Sequence, residues 1–226
     1  MTTIDLVSGG RLRPGFGTGW SPEEYQAAGL DFGRRGARMD ELLDALEALW
    51  TEDPPQYKGV HLPAPLHHSP LKPARKPRPP FCLGALSERG LATVARHGDG
   101  WLPLCVVPSF VGIDGLIAQR SPLDRLGCDV GLTPEEIDTV LRVHIDAGTG
   151  VTQVADTIRL VHERTGIDHC MVDPMYAVKT VDETIDHARI VLGLTSPRDD
   201  FAARLPGRSV NLHRHEGVTF IAPMCA

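Results

Sequence analysis

Short apolar runs alternate with amphipathic stretches along most of this chain, and that alternation restricts the fold more than any single motif does. The runs are Leu12–Phe16, Phe81–Leu83, Gly100–Val107, Leu141–Ile145 and Ile167–Val172. Each is too short and too apolar for an exposed helix, and each is followed by turn residues. The stretches between them carry helix signals. Ser21-Pro22-Glu23-Glu24 pairs an N-cap with proline at the first helical position. Arg35–Trp50 places Met39, Leu42, Leu43, Leu46, Leu49 and Trp50 on one face, with Glu41, Asp44 and Glu47 opposite. Ser87 caps a helix through Arg96, and Thr133-Pro134-Glu135-Glu136 predicts another helix start. Thr152–Thr165 ends at Gly166, and Val181–Leu192 is expected to stop at Gly193. Thr3–Val7 reads as a helix end before Gly9-Gly10. Five strand–helix units in this order predict an α/β fold with a parallel sheet.

Two segments depart from the alternation. Thr51–Pro80 holds nine prolines, which excludes helix and central strand. It is expected to run extended over residues 1–195, with a small hairpin around Tyr57–Val60. Residues 196–226 have little periodicity and are expected to form a poorly ordered tail with one short strand at Val218–Ala222.

Composition narrows the function classes. The chain has 226 residues, 42% hydrophobic and 23% charged, with a net charge of −6. That balance argues against nucleic-acid binding, which wants a concentrated basic face. The four basic residues within Lys72–Arg78 are interleaved with prolines and read as a solvated loop. With neither a signal peptide nor a membrane span, a cytoplasmic location is expected. Cys82, Cys105, Cys128, Cys170 and Cys225 are scattered and read as small buried hydrophobes.

Several residues are chemical candidates. Gly15-Phe16-Gly17-Thr18-Gly19-Trp20 follows a strand, where glycines let a ligand approach the backbone or simply make a tight turn. Gly84-Ala85 leads into the Ser87-capped helix, whose N-terminus is either a phosphate site or only a capped start. Trp101, after Asp99-Gly100, is a core aromatic or a stacking wall for a planar ring. His144 and Asp146 are two apart, so on one strand they share a face, either as a proton-transfer pair or as a surface or core pair without chemistry. His61, His67 and His68 sit among prolines, and His213 and His215 lie in the tail; none forms a converging metal set.

The ordered set GxGxGW, RxxRxDE with a helix ending LW, PPxxxGA and ARxGDGW, from about Thr3 to Leu194, resembles the luciferase-like monooxygenase family, particularly its deazaflavin-using branch. Val172-Asp173-Pro174-Met175-Tyr176 is similar to the family's last strand end. The resemblance implies a (β/α)8 TIM-type barrel, here incomplete, with about five units present and the first three missing. It implies reduced FMN or the deazaflavin coenzyme F-420 at the strand C-termini, acting on a small organic substrate. Carried over by position, Gly17, Thr18, Gly19 and Trp20 would line the cofactor cleft, Gly84 and Ala85 would sit near its phosphate, and Gly100 and Trp101 beside them. The family's usual acid/base residue has no counterpart here, so no catalytic residue is named. An incomplete barrel also implies open sheet edges, covered by a second copy or a partner chain. Two other readings remain: an inactive fragment, or a non-catalytic module that binds a flavin or another phosphate compound.

Overall fold

A computed structural model describes residues 1–62, 68–195 and 217–220. In chain order the elements are α1 (Thr2–Ser8), β1 (Gly15–Phe16), α2 (Pro22–Ala27), α3 (Arg35–Thr51), β2 (Cys82–Leu83), α4 (Glu88–His97), β3 (Gly100–Trp101), β4 (Leu104–Val107), α5 (Ile113–Asp129), β5 (Asp138–Ile145), α6 (Val151–Thr165), β6 (His169–Asp173), α7 (Val181–Thr195) and β7 (Gly217–Phe220). The pairs β1–β2, β2–β3, β4–β5, β5–β6 and β6–β7 are all parallel. The described residues form two compact units, 1–102 with 122–138, and 103–121 with those from 139 onward.

In the first unit β2 lies between β1 and β3, with Phe16 opposite Leu83 and Leu83 opposite Trp101. Among the described residues β1 pairs with β2 alone. The core gathers Leu43 and Trp50 of α3, Leu91 and Val94 of α4, and Phe81, Leu83 and Trp101 from the sheet. Phe81 packs edge-on to Phe16 and tilted against Trp50, both with centroids 5.7 Å apart. Asp99 organises the entry to β2: its carboxylate accepts the Phe81 N–H at 2.7 Å and an Arg78 N–H at 2.6 Å.

The face of α3 differs from the sequence pattern in one respect. Ala45 and Ala48 are buried together with Leu43 and Trp50, whereas Leu42 and Leu49 are only partly covered. Small residues are what a close helix approach selects, and a pattern of large apolar residues understates them.

The proline-rich segment is anchored to the first unit. Glu41, expected on the solvent face, accepts the N–H groups of Val60, His61 and Leu62 at 2.9, 2.7 and 3.1 Å, and the Tyr57 hydroxyl at 3.1 Å. Among the described residues no hairpin forms at Tyr57–Val60; one carboxylate supplies acceptors of the kind a second strand would supply. The Tyr57 phenol is pushed up to about 12, by burial and by Glu41 beside it. Lys72 caps α3 by donating to the carbonyls of Leu49 and Glu52. Buried Asp5 accepts the Arg75 N–H at 3.0 Å.

In the second unit β5 pairs with β4 and β6, and β6 with β7. Leu141, Val143 and Ile145 of β5 point into a core shared with α6 and α7, so Arg142 and His144 take the opposite face.

Two helix expectations are corrected, and one further helix is unforeseen. Thr133 and Glu136 do form a capping box, but only a single 3-10 turn at Pro134–Glu136 follows it. A cap satisfies only the first turn; the alternating, β-branched residues after it extend as β5. α7 continues through Gly193 to Thr195, and the Arg159 guanidinium donates to the Leu194 carbonyl at 2.6 Å. α5 carries no clear sequence signal, since Gly115, Pro122 and Gly127 interrupt it, yet Leu116 and Leu123 are sealed. Tertiary burial outweighs weak propensity there.

The expected strand at 218–222 overlaps β7, and the rest of the 196–226 tail lies outside the described residues, as do His67, His213, His215 and Cys225. Cys82, Cys105 and Cys170 are buried as expected, but Cys128 is exposed. Burial pushes the Cys105 thiol up to about 11 and the Cys170 thiol to about 12. No helix among the described residues is long and apolar enough to cross a membrane.

Candidate functional site

The ends of β1 and β2 open onto a cleft of about 300 Å³ in the first unit. Phe16 and Thr18 border it from β1, and Leu83, Gly84 and Ser87 from β2. The chain after β1 is held by Tyr25, whose hydroxyl donates to the Thr18 carbonyl at 2.5 Å. Ser21 caps α2 by accepting the Glu24 N–H. After β2, the Gly84 N–H donates to the Phe16 carbonyl at 2.8 Å and so fixes the two strand ends side by side.

Two helix N-termini reach this cleft. Arg35, Gly36 and Ala37 begin α3, and Ser87, Arg89 and Gly90 begin α4. Ser87 caps α4 by accepting the Gly90 N–H at 3.2 Å. Each terminus brings the positive end of a helix dipole, with the Arg35 N–H taken by the Phe32 carbonyl and the Gly90 N–H by Ser87. Arg35 and Arg89 add two guanidinium groups to the same lining. Arg35 is braced over the Phe32 ring, 3.9 Å from its centroid, and donates to the Phe32 carbonyl. Arg89 pairs with Asp40 at 2.8 Å. Burial alone would raise the Asp40 carboxyl, but the Thr93 hydroxyl, Arg96 and Arg89 override it and hold it below its ordinary value. The cleft is therefore a cationic pocket bordered by hydroxyls.

The glycines around it divide by cause. A Cβ on Gly84 would lie 3.6 Å from the Phe16 carbonyl and 3.8 Å from that of Leu102, which are ordinary contacts. Gly17 faces open space. The fold requires a bare backbone at neither position. By contrast, a Cβ on Gly100 would meet Cys82 Sγ at 3.1 Å and the Asp138 carbonyl at 3.3 Å, so packing explains that glycine. Gly19 has a φ of +75°, which explains it as a turn residue.

Of the residues expected around a cofactor, Thr18 and Gly84 line the cleft. Gly17 precedes Thr18, and Gly19 and Trp20 continue the chain past it, with Trp20 84% exposed. Ala85 is buried. Trp101 is sealed in the core and donates its indole N–H to the Ala85 carbonyl at 3.1 Å, so it offers no ring face to a ligand. Gly100 is buried beside it. Arg35 and Arg89 were missed by the sequence reading. A signal existed: a cation in the first turn of a helix opposes the dipole and calls for a reason.

In the second unit, the pairing expected between His144 and Asp146 does not form. Asp146 lies past the end of β5, where strand alternation stops, and its N–H donates to the Val107 carbonyl. His144 instead faces Asp173, paired with it in register across β5 and β6, with Nδ1 3.6 Å from the carboxylate. Arg142 donates to that carboxylate at 2.7 Å, and Tyr176 stacks on the His144 ring at 6.0 Å between centroids. Among the described residues no cluster of three or more side chains could hold a metal ion.

A family model described as luciferase-like monooxygenase matches residues 1–111. Those residues belong to the luciferase-like monooxygenase family. An uncharacterized protein of Mycobacterium tuberculosis (strain ATCC 25618 / H37Rv) is 34% identical over 115 residues, 50% of this chain and 39% of that protein. A second from the same strain is 32% identical over 139 residues, 61% of this chain and 46% of its own. Pyrimidine monooxygenase RutA of Allorhizobium ampelinum is 33% identical over 102 residues, 43% of this chain and 27% of RutA. The chain thus spans less than half the length of these relatives. Among solved structures, long-chain alkane monooxygenase (LadA) superposes with a TM-score of 0.65 at 15% identity, over 89% of this chain and 67% of LadA. The coenzyme F-420 dependent tetrahydromethanopterin reductase of Methanopyrus kandleri gives 0.56 at 18%, over 74% and 54%. At such identity the likeness is one of fold: an α/β chain of the (β/α)8-barrel type, whose sheet does not close among the described residues.

Proposed function

We propose that this chain forms part of a luciferase-like oxidoreductase that binds reduced FMN or the deazaflavin coenzyme F-420, and that the cleft of the first unit takes the cofactor's phosphate. The observation that supports this reading is the convergence of two helix N-termini and two arginines on one pocket, bordered by a glycine that packing does not require. The donor set fits a phosphate: guanidinium groups and the Ser87 and Thr18 hydroxyls. When bound, the cofactor supplies the electron chemistry toward a small organic substrate. The chain's own residues anchor it. Arg35 and Arg89 would hold the phosphate, Gly84 would let it approach the backbone, and Phe16 would shield the inner wall.

The residues lining the cleft include no imidazole, carboxylate, thiol or phenol. That supports a second reading, in which the chain binds a flavin without moving protons. The experiment is a titration of the chain with FMN and with coenzyme F-420, followed by ligand fluorescence, for the native protein and for Arg35→Gln, Arg89→Gln and the double variant. Saturable binding is expected, weakened about 3- to 10-fold by each change, since a charge-assisted hydrogen bond is worth roughly 1.5–3 kcal/mol before solvent screening. Unchanged affinity in the double variant would remove the cleft from cofactor binding. Added reductant and candidate substrates then separate enzyme from binding module: turnover supports the first, and stable binding without turnover the second.

A further inference from the structure

The second unit holds a polar cluster that the cofactor reading leaves unused. Arg142 and His144 are two apart on β5, on the face turned away from the unit's core, and Asp173 ends β6 beside them. Asp173 is fixed on both oxygens. One accepts the Met175 N–H at 3.1 Å, and the other accepts Arg142 at 2.7 Å. His144 is more than nine-tenths buried, and its Nδ1 is sealed without a hydrogen-bond partner, 3.6 Å from the Asp173 carboxylate. An orphaned buried imidazole nitrogen costs free energy and asks for a role.

The burial is asymmetric. Only 4% of the Asp173 side chain is exposed, against 42% of the Arg142 side chain, so solvent meets the cation and not the anion. Tyr176 is 57% exposed and stacks on His144. Burial, followed by the Arg142 charge, lowers the basicity of His144, and Asp173 opposes this only in part. Both effects favour the neutral imidazole. Nδ1 faces Asp173 from too far for a hydrogen bond, and an imidazole protonated there leaves the Nε2 lone pair to accept a proton donor from outside.

We propose that Arg142, His144 and Tyr176 form a binding site for a small 2-hydroxycarboxylate. The carboxylate would take the outward donors of Arg142, and the neighbouring hydroxyl would donate to His144 Nε2. Asp173 acts as a positioning residue, since it orients both partners and is itself sealed from the ligand. A carboxylate and a hydroxyl on adjacent carbons match two side chains that rise from the same face of one strand. The site uses no group of the cofactor cleft, and its failure would leave that reading untouched.

The test uses the full chain labelled with 15N-histidine, with the His144 resonances assigned from a His144→Asn variant. Glycolate is titrated at constant ionic strength, with acetate as the ligand lacking the hydroxyl. A saturable shift of the His144 signals is expected with glycolate, at least about 10-fold weaker with acetate. Arg142→Gln should abolish it. Because that change leaves Asp173 unpaired, Arg142→Lys is the companion variant: it keeps a cation for Asp173 but loses the planar fork, and should weaken glycolate by about 10-fold. No His144 shift with glycolate, equal shifts with glycolate and acetate, or an unchanged glycolate affinity in Arg142→Lys would each overturn the proposal.

Discussion

Replacing Trp101 with Phe separates two roles that the same side chain could play. In the structure the indole is sealed among Leu83, Leu91, Val94 and Leu123, and its N–H bonds the Ala85 carbonyl at 3.1 Å. Phenylalanine keeps an aromatic ring but removes that donor. The Ala85 carbonyl, left without a partner, costs roughly 1–3 kcal/mol. The smaller ring also forfeits transfer free energy, about 0.8 kcal/mol per buried carbon group lost, and leaves a void the neighbours fill only in part. The sum is about 3 kcal/mol. Followed by far-UV circular dichroism in urea, this should lower the midpoint by about 1 M at an m-value of roughly 2–3 kcal/mol/M. Cofactor affinity, measured by fluorescence where the variant is still folded, should stay within about 2-fold of the native value, because the ring has no exposed face. A variant of near-native stability that has lost cofactor binding would refute the placement of Trp101 in the core.

Four further outcomes follow from named contacts. Gly84→Ala should leave stability within about 0.5 kcal/mol, since the new methyl makes ordinary contacts, yet weaken FMN in the same titration; equal binding would show that the bare backbone is not used. Gly100→Ala, with its methyl 3.1 Å from Cys82 Sγ and 3.3 Å from a backbone carbonyl, should cost about 1–3 kcal/mol in urea unfolding. Ser87→Ala removes the cap of α4 and should cost about 1 kcal/mol, while Ser87→Asn should restore most of it. His144, facing Arg142, Asp173 and Tyr176, has its pKa lowered by burial first and Arg142 second. As pH falls through about 6.5 the unfolded chain binds a proton that the folded one resists, so stability should drop on acidification. His144→Gln should flatten that dependence, measured as the difference from the native protein between pH 7.5 and 5.5.

Much of the architecture was legible because it rests on local rules. Ser21-Pro22 and Ser87 cap helices as read, Gly166 ends α6 in the left-handed region with a φ of +70°, and the parallel strands fall where the apolar runs are. The misses share a cause in long-range contacts. Nothing near Glu41 in sequence shows that it will accept N–H groups some twenty residues later. The same holds for α5, whose glycines and proline argue against a helix that two sealed leucines secure.

The candidate sites show the same limit more sharply. Sequence order placed Thr18 and Gly84 at strand ends, and strand ends are where parallel sheets present backbone to ligands. What gives the cleft its charge, Arg35 and Arg89, comes from the first turns of two helices that are far apart in the chain. A motif reading weighs glycines because they are unusual in strands, and passes over arginines because they are common on surfaces. Electrostatics reverses that weighting: a guanidinium at the positive end of a helix is unfavourable unless an anion offsets it, as Asp40 does for Arg89. His144 makes the complementary point. Alternation alone would pair it with Asp146, but a strand lends alternation only as far as it extends. β5 ends at Ile145, so the carboxylate that meets His144 comes from the neighbouring strand, where parallel register brings Asp173 opposite it.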